Sequence, residues 1–324
     1  MIDVRRLRVL REVAVAGTIS GAARALGYTP SAVSQQLAAL ARESGAELLR
    51  RRGRYVELTA EGRLLVEVAE RVGAELEAAE AELAARAAQP RGVVRLLAFA
   101  TALRTFVPRA VALLAERAPG LELEIDEADP DDALRLLAQE RADVVVAHDY
   151  DLLERRRHTP VHRRELVVDE LRVVGEVGDA GGAASAGGGA SAPLPLAALA
   201  GRDWVLPDLG SACDRVVERA CASAGFAPKA VARSADFGAI AMLADACGAV
   251  ALVPRLGLEG NAPLPASRPL ESPVGRQVFA AVRDGAERRP LESAILDALA
   301  AAAGPPSVAA APAAPRAGTA PVPS

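Results

Sequence analysis

Between Thr18 and Leu40 the apolar positions repeat with a helical period, stop, and repeat again. Ala22, Ala23 and Leu26 share one face of a short helix whose first turn Ser20 would cap, and Gly27 offers the positive φ of a tight turn. A second helix is predicted from near Pro30, a residue tolerated in a first turn because its missing N–H would be unpaired there. Its inward stripe is Val33, Leu37 and Leu40, at i, i+4 and i+7. Leu48 and Leu49 then lead into Arg50, Arg51, Arg52, Gly53 and Arg54 and the strand-like run Tyr55 to Thr59, which reads as a hairpin with a Gly-centred turn. From Ala60 to about Ala88 no Pro interrupts the chain, and Leu65, Ala69, Val72, Leu76, Ala79 and Leu83 alternate at spacings of four and three. That seam predicts one long helix, ended by Gln89 and Pro90.

From Arg91 to about Ala303 the period alternates between strand and helix. Strands are predicted at 93–97, 121–125, 143–147, 171–177, 203–206, 230–234, 249–253 and 277–283. Helices are predicted at 101–117, 131–141, 211–224, 238–246 and 291–302. Repeated β-α-β units imply a parallel sheet with right-handed crossovers. The Gly/Ala-rich stretch from Asp179 to Ser191 reads as a flexible surface loop, and the Pro/Ala tail from Gly304 as disordered.

The outer face of the second short helix presents Ser31, Ser34, Gln35 and Ala38, which are short and uncharged where a solvated helix carries Lys, Glu and Arg. Such a face suits base edges, since Gln pairs with adenine and Ser bonds to any base. Charge agrees with this reading. Residues 1–60 hold ten Arg against five acids, a formal +5, while the chain as a whole is −4. A basic head on an acidic body is expected when one region alone meets nucleic acid. Two short helices, a tight turn and an Arg-studded hairpin make a winged helix-turn-helix.

In these residues the chain resembles the LysR-type transcriptional regulators, and further pieces of the resemblance are Arg95-Leu96 before Pro108, Pro119-Gly120-Leu121, Ala142-Asp143-Val144, Ala224 to Pro228 and Ala249 to Pro254. The resemblance implies an all-α winged helix-turn-helix head and a long linker helix, joined to a two-lobed α/β effector domain like a periplasmic binding protein. The expected domains are 1–59 for the head (helix-turn-helix about 18–37, wing 49–59), 60–89 for the linker and dimerisation helix, 91–303 for the effector domain and 304–324 for the tail. Expected partners are double-stranded operator DNA, a small-molecule effector, further copies of the chain as homodimer and tetramer, and RNA polymerase. DNA contacts are assigned to Ser20, Thr29, Pro30, Ser31, Ser34 and Gln35, with Arg52 and Arg54 on phosphate or minor groove.

Ligands of open α/β sheets gather where strands end and helices begin, and helix N-termini favour anions. Thr101 and Ala102 follow the first strand of one lobe and Ser211 opens a helix of the other, and the resemblance to the LysR-type family implies that these spots face each other across the cleft. His148 and Phe237 are expected as further walls. The effector is therefore expected to be a small anionic metabolite.

No apolar run is long enough to span a bilayer, and the start of the chain lacks the long apolar stretch of a signal peptide, which predicts a cytoplasmic protein without a membrane partner. His148, His158 and His162 lie in a loop with no nearby thiol, so no metal ligand set, cofactor or catalytic residue is assigned. Without a nucleophile elbow, Walker loop or Rossmann glycines, an enzyme with an accessory DNA-binding head is a remote alternative. A closer one is a thiol sensor using Cys213 and Cys221, although eight helical residues would hold them about 12 Å apart.

Overall fold

The computed structural model of the chain describes residues 2–52, 55–85, 91–154, 161–176, 192–259 and 265–304. The proposed glycine-rich insert, the tail beyond Gly304, His158, Gln89 and Pro90 lie outside the described residues.

The head comprises α1 (Val4–Ala16), α2 (Ile19–Leu26), α3 (Pro30–Ser44) and a hairpin of β1 (Leu49–Arg52) and β2 (Tyr55–Leu58). Ala22, Ala23, Val33, Leu37 and Leu40 are buried, as the helical period predicts, and they pack with Leu10 and Val13 of α1, a helix the sequence pattern had not placed. The cap of α2 is Thr18 rather than Ser20: its hydroxyl accepts the Gly21 N–H at 3.0 Å, and Ser20 sits inside the first turn, exposed. Thr18 is the residue with extended backbone before the helix, the geometry a capping side chain requires. Gly17, Gly27 and Gly45 all close helices in the left-handed conformation.

The long helix α4 (Ala60–Ala85) is anchored to the head by Thr59, whose hydroxyl accepts the Gly62 N–H at 2.9 Å and donates to the Glu47 carbonyl at 2.7 Å. A Cβ on Gly62 would lie 2.1 Å from the Leu48 carbonyl oxygen, so only glycine permits this approach. Along the predicted seam, Leu65 and Ala69 pack into the head, whereas Leu76 and Leu83 are 55 % and 69 % exposed. The opposite face of α4 is occupied too. Ala81 is fully buried, and the α4 backbone at Ala74 and Ala78 comes so close to Gly285 that a Cβ there would clash.

Beyond residue 91 come β3 (Gly92–Ala98), α5 (Ala100–Arg104), α6 (Val107–Arg117), β4 (Leu121–Glu127), α7 (Pro130–Ala138), β5 (Val144–Tyr150) and β6 (Val161–Gly175). There follow β7 (Asp203–Pro207), α8 (Ala212–Ser223), β8 (Lys229–Ser234), α9 (Phe237–Ala246), β9 (Val250–Pro254), β10 (Ser267–Pro269), β11 (Gly275–Arg283) and α10 (Pro290–Ala303). The single helix expected over 101–117 is two, because Pro108 cannot donate to a preceding carbonyl and sits instead in the first turn of a new helix.

The expectation of a parallel sheet holds for three strands of each lobe and fails beyond them. Strands β4, β3 and β5 are parallel, as are β8, β7 and β9, but the order β4-β3-β5-β11-β6-β9-β7-β8 joins the two sets through antiparallel β11 and β6. Residues 161–170 of β6 pair with β11 in the first lobe, and residues 171–175 pair with β9 in the second. The two lobes thus share one strand, and α10 returns to pack on α6 of the first lobe.

Candidate DNA-binding and effector sites

The capping chemistry of the head decides what α3 presents. Thr29 accepts the Ala32 N–H at 3.2 Å, which fixes where α3 starts. With Val33, Leu37 and Leu40 turned inward, Thr29, Pro30, Ser31, Gln35 and Ala38 are exposed and Ser34 is half-buried. The face therefore exists as predicted, uncharged at its amino end. Tyr28, beside Thr29, and Tyr55, opposite Arg52 in the hairpin, are each more than half exposed, and the sequence reading assigned neither a role. An aromatic next to a basic hairpin was the available signal. The hairpin register runs from Leu49 opposite Leu58 to Arg52 opposite Tyr55, so the expected contact Arg52 lies at its end. Arg54, with the turn itself, lies outside the described residues.

Between the lobes lies a cavity of about 590 Å³. The amino end of α7 (Asp129, Pro130, Asp131, Asp132) forms one wall, the amino end of α8 (Gly210, Ser211, Ala212, Arg215) the other, and His148 and Tyr150 the floor. Ser211 caps α8 by accepting the Asp214 N–H at 3.1 Å, because its position just before the helix leaves that N–H unpaired. Arg215 and Arg219 donate to the carbonyls of Gly210 and Leu152, at 2.5 and 2.7 Å, so backbone orients both guanidinium groups.

His148 stacks edge-on between Phe99 and Tyr150, with both ring centroids 4.9 Å away. Burial and the nearby Arg276 charge hold it well below its ordinary pKa, so it is neutral, and its Nδ1 has no hydrogen-bond partner. Beneath it, Arg276 is 2 % exposed. Its Nε donates to Asp169 at 2.8 Å, and Nη2 approaches the same oxygen at 2.8 Å without hydrogen-bond alignment. The rings of Phe99, Tyr150 and Phe237 surround this guanidinium at 4.8, 5.9 and 5.8 Å.

Of the expected effector residues, His148 and Ser211 line the cavity, and Thr101, Ala102 and Phe237 do not. Thr101 and Ala102 are buried in the five-residue α5, whose N-cap is Phe99. Phe237 packs into the second lobe, over Arg276. The lobes are also strapped together by Arg104 and Asp236, 2.8 Å apart.

Burial pushes the Cys213 thiol up to about 11, even though it shares a hydrogen bond with Tyr150, and pushes Cys221 up to about 12. Both shifts disfavour the thiolate that oxidation requires near neutral pH. Among the described residues no group of His, Cys, Asp and Glu could hold a metal ion, and no helix is long and apolar enough to cross a membrane.

A two-lobed sensor joined through a long helix to a winged helix-turn-helix defines the class: a DNA-binding regulator with a ligand-sensing domain. Residues 4–63 match the bacterial regulatory helix-turn-helix protein, lysR family, and residues 87–304 match the LysR substrate binding domain. The chain belongs to the LysR family of transcriptional regulators and is not an enzyme. It is 28 % identical, over 92 % of its length and 96 % of the relative's, to the probable transcriptional regulator LrrA of Synechococcus elongatus. It is 41 % identical to a probable hydrogen peroxide-inducible genes activator of Mycobacterium avium, over 41 % of this chain and 42 % of that one. Among solved structures, a full-length OxyR variant from Pseudomonas aeruginosa superposes with a TM-score of 0.59 at 19 % identity, covering 92 % and 95 % of the two chains. Full-length BenM superposes at 0.53 and 20 % identity, over 92 % and 95 %. These likenesses speak for the shared fold.

Proposed function

We propose that the chain is a cytoplasmic regulator that reads an operator through α3 and its hairpin and responds to a small metabolite held between its lobes. The observation that carries the second half is the cavity, walled by the amino ends of two helices from different lobes. An anionic group would sit on the α8 side, where the helix dipole, the Ser211 hydroxyl and Arg215 and Arg219 combine. The facing wall carries Asp129, Asp131 and Asp132, so the rest of the molecule would bring donors or a cation to α7. Base contacts fall to Ser34 and Gln35, and Thr29, Pro30, Ser31, Ser20 and the wing arginines hold the backbone. The exposed Leu64, Leu76 and Leu83 of α4 fit pairing with a second chain, which would set two copies of α3 on one partly palindromic site in a dimer or tetramer. RNA polymerase is the further partner such an assembly would address.

A thermal-shift screen of metabolites on the full chain tests the cavity. An anionic metabolite is expected to stabilise the protein, with most of the shift lost in Arg215→Ala and retained in Thr101→Ala. A stabilising ligand indifferent to Arg215→Ala and Ser211→Ala would place its site elsewhere.

A further inference from the structure

One short helix touches both the cavity and the head. Helix α7 is nine residues, about 13 Å long. Its amino end supplies Asp129, Pro130, Asp131 and Asp132 to the cavity between the lobes. Its middle is locked to the sheet: Ala133, Leu134 and Leu137 are buried against Leu97, Val145 and Phe279. Its carboxyl end meets α1 of the head. There Arg11 donates to the Ala138 carbonyl at 2.8 Å, Glu12 hydrogen-bonds Gln139, and Glu140 pairs with Arg8 at 2.5 Å and with Arg11 at 3.7 Å.

Glu140 is itself unusual. Helix α7 closes with two reversed hydrogen bonds, from Glu140 N–H to Leu137 and from Arg141 N–H to Leu136, at 3.1 and 2.9 Å. That closure puts Glu140 at φ 59, and it is the sole non-glycine residue with positive φ among the described residues. Glycine is the usual occupant of such a position because it has no Cβ to crowd the carbonyl. Here an unfavourable backbone carries the side chain that holds the head. Strained residues of this kind persist where the surrounding structure uses them.

We propose that α7 is a connecting rod: occupancy of the cavity displaces its amino end, and Glu140 passes the displacement to α1 through Arg8 and Arg11. The inference rests on the reading of the cavity as the effector site. A helix with a buried, close-packed flank moves as a body, so a shift at one end appears at the other. The contact it works on includes the half-exposed Arg8–Glu140 ion pair, which is easily exchanged between two arrangements. Only a contact of that strength can be tipped by a ligand's preference between two states.

The test fills the cavity covalently, so no metabolite needs to be known. In full-length protein carrying Cys247→Ser, which removes the exposed thiol, Ala212→Cys is reacted with N-ethylmaleimide to place a bulky group in the cavity wall. Cys213 and Cys221 stay unreacted because they are buried, which mass spectrometry confirms. Hydrogen–deuterium exchange is then followed in α7 and in α1. The adduct is expected to change exchange severalfold in both helices. Adding Glu140→Gly, which suits the left-handed backbone and so keeps the fold, should retain the α7 response and abolish the one in α1. Arg8→Gln with Arg11→Gln should do the same from the other side, and Arg8→Glu with Glu140→Arg should restore part of it. An α1 response unchanged by Glu140→Gly, or an α7 that ignores the adduct, overturns the rod. Failure of the metabolite screen instead would count against the cavity as effector site and leave this result standing.

Discussion

The molecule has two junctions, one between the lobes and one between the head and the first lobe, and they are built on opposite principles. Where the lobes meet, one fully buried ion pair, Asp169 with Arg276, lies under the rings of Phe99, Tyr150 and Phe237, and Asp169 also accepts the Leu256 N–H at 2.9 Å. Where the head and linker meet the lobe, the partners are many and range from the exposed Arg8 to the mostly buried Arg283 and Glu77. Arg8 and Arg11 face Glu140, Arg283 bonds Glu77 at 2.9 Å, and Arg289 pairs with Glu77 at 2.7 Å and with Glu80. A buried pair with no water to replace a lost partner is all-or-none. Half-exposed pairs are individually weak, screened by salt and exchangeable. The first junction therefore centres on one buried pair, with the exposed Arg104–Asp236 strap beside it, and the second seats the DNA-binding head through several separate pairs, of which the outer ones are exchangeable.

The sharpest break of this contrast is Asp169→Ala. It leaves the Arg276 charge buried without a counter-charge, and we expect a loss of about 3–5 kcal/mol in denaturant unfolding, whereas replacing both partners with apolar residues of similar volume should recover most of it. If Asp169→Ala costs no more than Glu77→Ala, the buried pair is not what holds the lobes.

At the other junction, Gly285→Ala puts a Cβ 2.4 Å from the Ala74 carbonyl oxygen and strains a residue at φ 91. The expected cost is about 1–3 kcal/mol, together with a larger radius of gyration in solution scattering as α4 leaves the lobe. An unchanged radius with lowered stability would mean that the lobe, not the seat, absorbs the strain.

The smallest expected effect concerns Glu12, 3 % exposed where α1 meets α7. Burial raises its carboxyl pKa, outweighing the neighbouring Arg11, and Oε1 has no hydrogen-bond partner. A carboxyl raised on folding destabilises the ionised native state. That cost is absent below the ordinary carboxylate range, grows as pH rises through it, and is complete above the raised value. Glu12→Gln should therefore stabilise the protein near neutral pH, on the order of 1 kcal/mol or about 2–4 °C, with no gain at acidic pH. A gain independent of pH would show that charge is not the cause.

The helix-turn-helix was legible because its determinants are local. Val33, Leu37 and Leu40 fall on one face by helical geometry alone, and the small polar residues opposite them are left outside whatever else folds around. The cap was displaced by two residues, Ser20 for Thr18, and helix α1, which brings Leu7, Val9, Leu10 and Val13 to the same core, was not placed from the sequence. Most strands of the effector region were likewise visible as apolar runs, but the first ten residues of β6 and all of β10 were not. The cavity was legible only in half. Ser211 could be found because a cap must stand directly before its helix, but Thr101 and Phe237 missed the wall. Which face of a short element looks into a cleft depends on how the lobes are set against each other.

Local pattern, then, determined the elements, the uncharged face of α3 and the membership in a DNA-binding family. Three things were decided by tertiary structure. Strand β6 serves both lobes, since pairing partners 75 to 122 residues apart leave no periodic trace in either segment. Arg276 lies in the core, because a lone Arg in a strand reads as surface until Asp169 is brought 2.8 Å away. Glu140 faces Arg8 across 132 residues of chain, a pairing that neither local propensity nor charge balance encodes, because it exists only once the head is seated on the lobe.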